Sequence, residues 1–458
     1  MAVIGRHCPI RLPSSPAPLL RIASPFLAEP SRLPTSGLSF PAVLTRRPVV
    51  ITLSVIAAAA YFFRIRLHPG GGTDLYPQAA ECMIKGLPIS TCSPDFTYPP
   101  LFSFLVIPMV YLPMWARHLG WYLLLLALTV GSIRIAERLV LAAFEFAPSD
   151  LERQWLRLAS VVLSLNFLLS VFEHQAYDVM VLFCILVGLT GLAKNNWTWM
   201  SLGLGFAAAI KATPLLFLPY LLLKQGWKPS ALCLGAYAGF SVLPDVFLSI
   251  EGGQGTYYGN WLGQVGLQPF LGNYLDHLPA QRPVSDPFWF VDNPHNYSLR
   301  QLVLHFTLYL NIQEYFPRLL YGLYGLCGLL GLAVLRWTGE SKAAPVVDGS
   351  LILIGMLLLS PMSSRTHFVV LLLPFMTTTA YLLMKPLHRP YLLPASVLSC
   401  LLNNFTSRDL VGRKLAALAE PWGPVIFGTI MLGLALAYIA YMEKQQPRTA
   451  SAMDPETG

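Results

Sequence analysis

Apolar stretches of 17 residues or more recur along this chain, and each can cross a hydrocarbon layer about 30 Å thick. No other feature restricts the fold as much, because backbone polar groups in lipid have no water to bond. Only 12% of the residues are charged and 55% are hydrophobic, about half the charge of a soluble domain. The reading is an all-α integral membrane protein with about ten to twelve transmembrane segments. A net charge of +8 needs no nucleic acid to explain it, since Lys and Arg accumulate in cytoplasmic loops and set orientation.

Residues 1–47 form a basic tail rich in Pro, Ser and Arg, with Glu29 as its only acid. It is read as disordered, and a transit peptide of similar composition is an alternative. Residues 48–445 form the transmembrane domain, and 446–458 a cytoplasmic tail. Arg46 and Arg47 abut the first span, 48–64, which places the N-terminus in the cytoplasm and Asp74 outside. Further spans are expected at about 100–112, 119–142, 156–172 and 178–194, with Arg117–His118 as a cytoplasmic turn. Glu137, three residues after Arg134, suits an intrahelical ion pair. The run 197–223 is long for one span and is broken at Lys211-Ala212-Thr213-Pro214. It is one kinked helix or two short ones that meet at Lys211.

Residues 250–298 form a polar insertion whose aromatic residues, among them Phe288, Trp289 and Phe290, suit a membrane interface first and a sugar-stacking surface second. The segment 299–314 reads as an amphipathic interfacial helix. Spans at 229–249, 317–336, 349–361, 368–384, 391–404 and 422–442 complete the domain. Cys82 and Cys92 share one external loop and are candidates for a disulfide.

Ionisable groups within or beside apolar runs are costly unless a cavity or partner receives them. They include Asp74, the hinge Glu173-His174-Gln175-Ala176-Tyr177-Asp178, Lys211, Arg300, Arg365 and His367. Each alone has a structural reading: Asp74 as a helix cap, Lys211 as a snorkelling side chain, Glu173 with His174 as a pair at a helix end. The side of the membrane on which the hinge lies depends on whether every segment between Asp74 and Lys224 spans once.

The order Thr73-Asp74-Leu75-x-Pro77, Tyr98-Pro99-Pro100-Leu101 and Lys211-Ala212-Thr213-Pro214-Leu215-Leu216 resembles the polyprenyl-phosphate-sugar-dependent glycosyltransferases of family 87. Asn296-Tyr297-Ser298-Leu299-Arg300 and Ser360-Pro361-Met362-Ser363-Ser364-x-x-His367 are similar to later blocks of that family. The chain departs from it at 173–178, where many members carry Gly-Gln-x-Asn. The resemblance implies a GT-C-type bundle with interfacial helices in its external loops, in a bacterial inner membrane with the site facing outward. It implies inverting transfer of mannose or another sugar from a polyprenyl phosphate to a lipid or glycan hydroxyl. Asp74 then matches the general base. Lys211, Arg300, Arg365 and His367 are candidates for the donor phosphate. Glu173, His174, Gln175, Asp178 and Tyr98 are candidates for sugar or acceptor contacts.

No cofactor is demanded, although Asp74 with Asp95 or Glu173 could hold a divalent ion. Two other classes compete: a flippase of lipid-linked sugars, and a non-catalytic scaffold. The first lacks a repeated copy of the Lys211 break. The second does not need Asp74, Lys211 and Arg365.

Overall fold

A computed structural model describes residues 61–63, 71–93, 96–253, 255–266, 296–339, 341–404 and 408–445. Both expected tails, nearly all of the expected first span, the aromatic stretch 288–290 and Asp95 lie outside the described residues. Every regular element among the described residues is a helix, as expected of an all-α polytopic membrane protein. Among the described residues five helical stretches are long and apolar enough to cross a membrane: Met114–Ala143, Trp227–Phe247, Gln313–Leu335, Arg365–Met384 and Pro424–Gln445. Asp150–Leu163 and Leu165–Glu173 together form a sixth, bent by 59°, and four shorter apolar helices accompany them.

In chain order the helices used below are α1 (Gly72–Ile84), α2 (Pro100–Leu105), α3 (Ile107–Val110), α4 (Met114–Ala143), α5 (Asp150–Leu163) and α6 (Leu165–Glu173). Next come α7 (Asp178–Ala193), α8 (Trp197–Ile210), α9 (Phe217–Lys224) and α10 (Trp227–Phe247). The last are α11 (Leu299–Tyr309), α12 (Phe316–Leu335), α13 (Ala344–Leu358), α14 (Leu372–Met384), α15 (Arg389–Asn404), α16 (Arg408–Ala419) and α17 (Pro424–Gln445). α8 packs between α7 and α10, where glycines let the backbones approach. A Cβ on Gly203 would lie 2.6 Å from the Gly188 nitrogen, and one on Gly191 2.4 Å from the Met200 nitrogen. Such contacts replace the hydrophobic drive that helices lack in lipid.

Local chemistry sets several boundaries. Ser149 and Glu152 form a reciprocal capping box that starts α5. The expected span 100–112 is instead two short helices, α2 and α3, separated at Val106. Pro108 and Pro113 withhold the donors a continuous helix would need, and helices of 6 and 4 residues cannot reach across a bilayer. Arg117 and His118 are consequently not a cytoplasmic turn. They belong to the start of α4, where His118 Nδ1 lies 3.5 Å from the Thr73 hydroxyl. Glu137 also differs from expectation: it takes Arg157 at 2.8 Å and Arg153 at 3.6 Å, both from α5. The run 197–223 resolves as α8 and α9 joined by a 3-10 turn, with Lys211 at the break.

Two groups of contacts mark opposite ends of the bundle. At one end the start of α1 meets the 173–178 hinge, where the Gly72 amide donates to the His174 carbonyl at 3.0 Å. At the other, Lys342 pairs with Glu145, and Lys224 reaches Thr338 at 3.0 Å and Asp348 at 3.5 Å. The hinge therefore sits beside the Asp74 helix. The reason is the broken 100–112 segment, which leaves α4 and the bent α5–α6 pair as one passage out and one back.

Candidate active site

The end of the bundle that holds α1 is built from five segments distant in sequence. Asp74 is half-buried in the first turn of α1. α1 is clipped to the hinge by Gln175, whose Oε1 accepts from the Thr73 amide at 3.1 Å and from the Thr73 hydroxyl. The Gln175 carbonyl accepts from Trp121 Nε1 at 2.7 Å. Gln175 adopts φ 53°, a left-handed conformation that costs a non-glycine residue about 1–2 kcal/mol. The clip holds it there. Tyr76 of α1 meets Tyr98, Phe102, Trp121 and Tyr177 edge-on, and this cluster joins α1 to the residue before Asp178.

Asp178 opens α7 and is 2% exposed. Its Oδ1 lies 2.5 Å from Lys211 Nζ, and its Oδ2 accepts from the Thr366 hydroxyl at 2.7 Å. His367 Nε2 lies 3.9 Å from Oδ1. The Ser364 amide donates to His367 Nδ1 at 3.2 Å, so a neutral ring carries its hydrogen on Nε2, the nitrogen facing Asp178. Lys211 is thus paired rather than snorkelling, although its ammonium also lies 5.9 Å from the centre of the Tyr177 ring. Asp178, Lys211, His367, Thr213, Ser360 and Ser363 line one small cavity. Its polar wall is the Asp178–Lys211 ion pair, an imidazole and three hydroxyls, and the remainder is apolar.

The blocks 296–300 and 360–367 are zipped together. Asn296 Oδ1 accepts from the Ser298 and Ser363 amides at 3.0 and 3.1 Å, and the Tyr297 amide donates to the Ser363 carbonyl at 2.7 Å. Arg365 Nη2 donates to Tyr297 Oη at 2.8 Å and to Glu420 Oε1 at 3.0 Å. Its Nε is buried without a hydrogen-bond partner. Burial raises the Tyr297 phenol above its usual range, which keeps it a donor. Arg300 is buried on α11 close to Tyr324 of α12.

The sequence candidates divide accordingly. Asp178, Lys211 and His367 come together, with Asp74 and Gln175 on the adjoining helix and clip. Tyr98 is half-buried, 4.6 Å from Tyr177 between ring centres. Glu173 and His174 are exposed, and His174 Nδ1 bonds the Ser170 carbonyl at 3.0 Å rather than Glu173. Thr366 and Glu420 escaped the sequence reading. Thr366 lies between two flagged residues, and Glu420 is one of few acids near the final span. Among the described residues no three His, Cys, Asp or Glu side chains are gathered as metal ligands, and Asp95 lies outside them. Cys82 and Cys92 are joined by a disulfide.

The model of glycosyltransferase family 87 matches residues 96–361. That range takes in Tyr98, the hinge, Lys211 and Arg300, and leaves Asp74, Arg365 and His367 outside. A polyprenol-phosphate-mannose-dependent alpha-(1-2)-phosphatidylinositol mannoside mannosyltransferase of Mycobacterium tuberculosis is 25% identical over 189 residues. The match covers 37% of this chain and 43% of the mycobacterial protein, so the chain spans less than half the length of that relative. No solved structure matches. With more than half of its 458 residues under the family model, the chain belongs to glycosyltransferase family 87.

Proposed function

We propose that the protein transfers a sugar from a polyprenyl phosphate to a hydroxyl of a lipid or glycan, with inversion at the anomeric carbon. The observation that carries this reading is the half-buried Lys211 beside His367, lining a cavity next to the helix that presents Asp74. Asp74 takes the proton of the acceptor hydroxyl as its oxygen bonds to the anomeric carbon. The bond from that carbon to the phosphate oxygen breaks, and the polyprenyl phosphate leaves with the electron pair. Lys211 and His367 meet the charge that develops there, with Arg300 and the spare Nε of Arg365 as further donors. Tyr98, Glu173 and His174 are available to sugar or acceptor. Gln175 and Asp178 are held by protein partners and position the others.

The mycobacterial relative makes polyprenyl-phosphate mannose the first donor to test and a glycolipid the first acceptor. The disulfide that ties the last turn of α1 to Cys92 suits an oxidising compartment. Lys224, Lys228, Lys342 and Lys385 gather toward the opposite end, which favours that end for the cytoplasm. Both features support an outward-facing site in a plasma membrane.

The test is transfer in membranes from a panel of polyprenyl-phosphate sugars, wild type beside Asp74→Asn at equal protein level. Loss of a positioned base lowers turnover by about 10²–10⁴-fold. Transfer that survives the substitution moves the base elsewhere. Absence of transfer by wild type from every donor removes the enzymatic reading and turns attention to flipping.

A further inference from the structure

Glu420 lies between α16 and α17, beyond the region the family model matches. It begins the 3-10 turn Glu420–Trp422. The same turn is held against α11: Trp422 meets Phe306 and Tyr309 edge-on, and His305 Nδ1 lies 3.2 Å from the Pro421 carbonyl. Arg365 and Glu420 are only 17% and 11% exposed. They close a triangle with Tyr297, whose hydroxyl is 3.2 Å from Glu420 Oε1 and whose ring centre is 5.1 Å from the guanidinium. A charge pair so enclosed is strongly directional, because either partner alone would be left desolvated.

We propose that Glu420 is a positioning residue of the active site. The two residues that follow Arg365 are Thr366 and His367, the groups set against Asp178. By holding Arg365 outward, Glu420 fixes the start of that turn and stops a second cation from competing with Lys211 for Asp178. The outer layer, α11 and the turn after α16, thereby sets the geometry of a site formed by other helices. The kinetic part of this inference rests on the transferase reading above, and the geometric part does not.

The experiment uses the full chain in lipid nanodiscs, with Glu420→Gln and Glu420→Asp. Backbone hydrogen exchange is followed in peptides covering 296–299 and 363–367, with 338–348 as the reference at the opposite end. Glu420→Gln is expected to speed exchange at the two site segments about tenfold and to leave the reference unchanged. In transfer assays it raises the donor KM about tenfold and leaves the acceptor KM within twofold. A lower amount of folded enzyme cannot produce that split. Glu420→Asp recovers most of both effects. Unchanged exchange at the site segments overturns the proposal, and so does equal acceleration at both ends, which would assign Glu420 to general stability. If the wild type transfers no sugar, the transferase reading falls, and the exchange pattern alone still decides whether Glu420 positions the turn.

Discussion

Removing the charge of Asp178 tests whether the centre of the site is held by a single ion pair. The carboxylate is 3% exposed and the ammonium 13%, so each has shed most of its water. At an effective dielectric of about 20 and a charge separation of ~3.5 Å their attraction is roughly 5 kcal/mol. Desolvation of the two ions costs several kcal/mol each, which leaves the intact pair near break-even. Asp178→Ala strands Lys211 beside Tyr177 and should cost about 3–5 kcal/mol. Asp178→Asn keeps an acceptor for Thr366 and should fall at the lower end of that range. Lys211→Met strands the carboxylate and should cost a similar amount. The double variant Asp178→Asn/Lys211→Met buries no net charge and should cost less than about 2 kcal/mol, a coupling of at least about 4 kcal/mol. Reversible unfolding in mixed micelles measures all four proteins. Additivity within about 0.5 kcal/mol would refute the pairing. Under the transferase reading the double variant regains stability and not transfer, because Lys211 is absent.

Two further expectations concern the scaffold. Gly203→Leu forces apart α7 and α8, whose ends carry Asp178 and Lys211, and should cost about 1–3 kcal/mol in the same unfolding assay; an unchanged stability would show that the two helices do not meet there. Replacing Cys82 and Cys92 by serine opens a loop with a sequence separation of 10 and should cost roughly 2–3 kcal/mol by loop entropy. Thiol alkylation of the wild type without reductant should leave both residues unmodified, and labelling of either would disprove the bond.

Hydropathy alone determined that this chain is a helical membrane protein, because the cost of bare backbone in lipid acts segment by segment. It also located the break at Lys211, where a lysine and a proline interrupt an apolar run, and the motif blocks brought out Asp74, Arg300 and His367. Such signals are local. The fate of 100–112 was not legible in this way: its apolar character reads as a span, and only packing beside α1 showed that its prolines divide it. That one difference brought the 173–178 hinge to the side of Asp74.

Partner choice was equally hidden. Nothing near Glu137 in sequence distinguishes Arg134 from Arg157, and Asp178 lies 33 residues from Lys211 and 188 from Thr366. Glu420 reads as a loop acid until Arg365 and Tyr297 are seen around it. Burial of apolar surface is a property that a short segment carries with it, so the sequence declares it. An ion pair between helices exists only once several segments have packed, and the tertiary structure alone decides which charges are left to find each other.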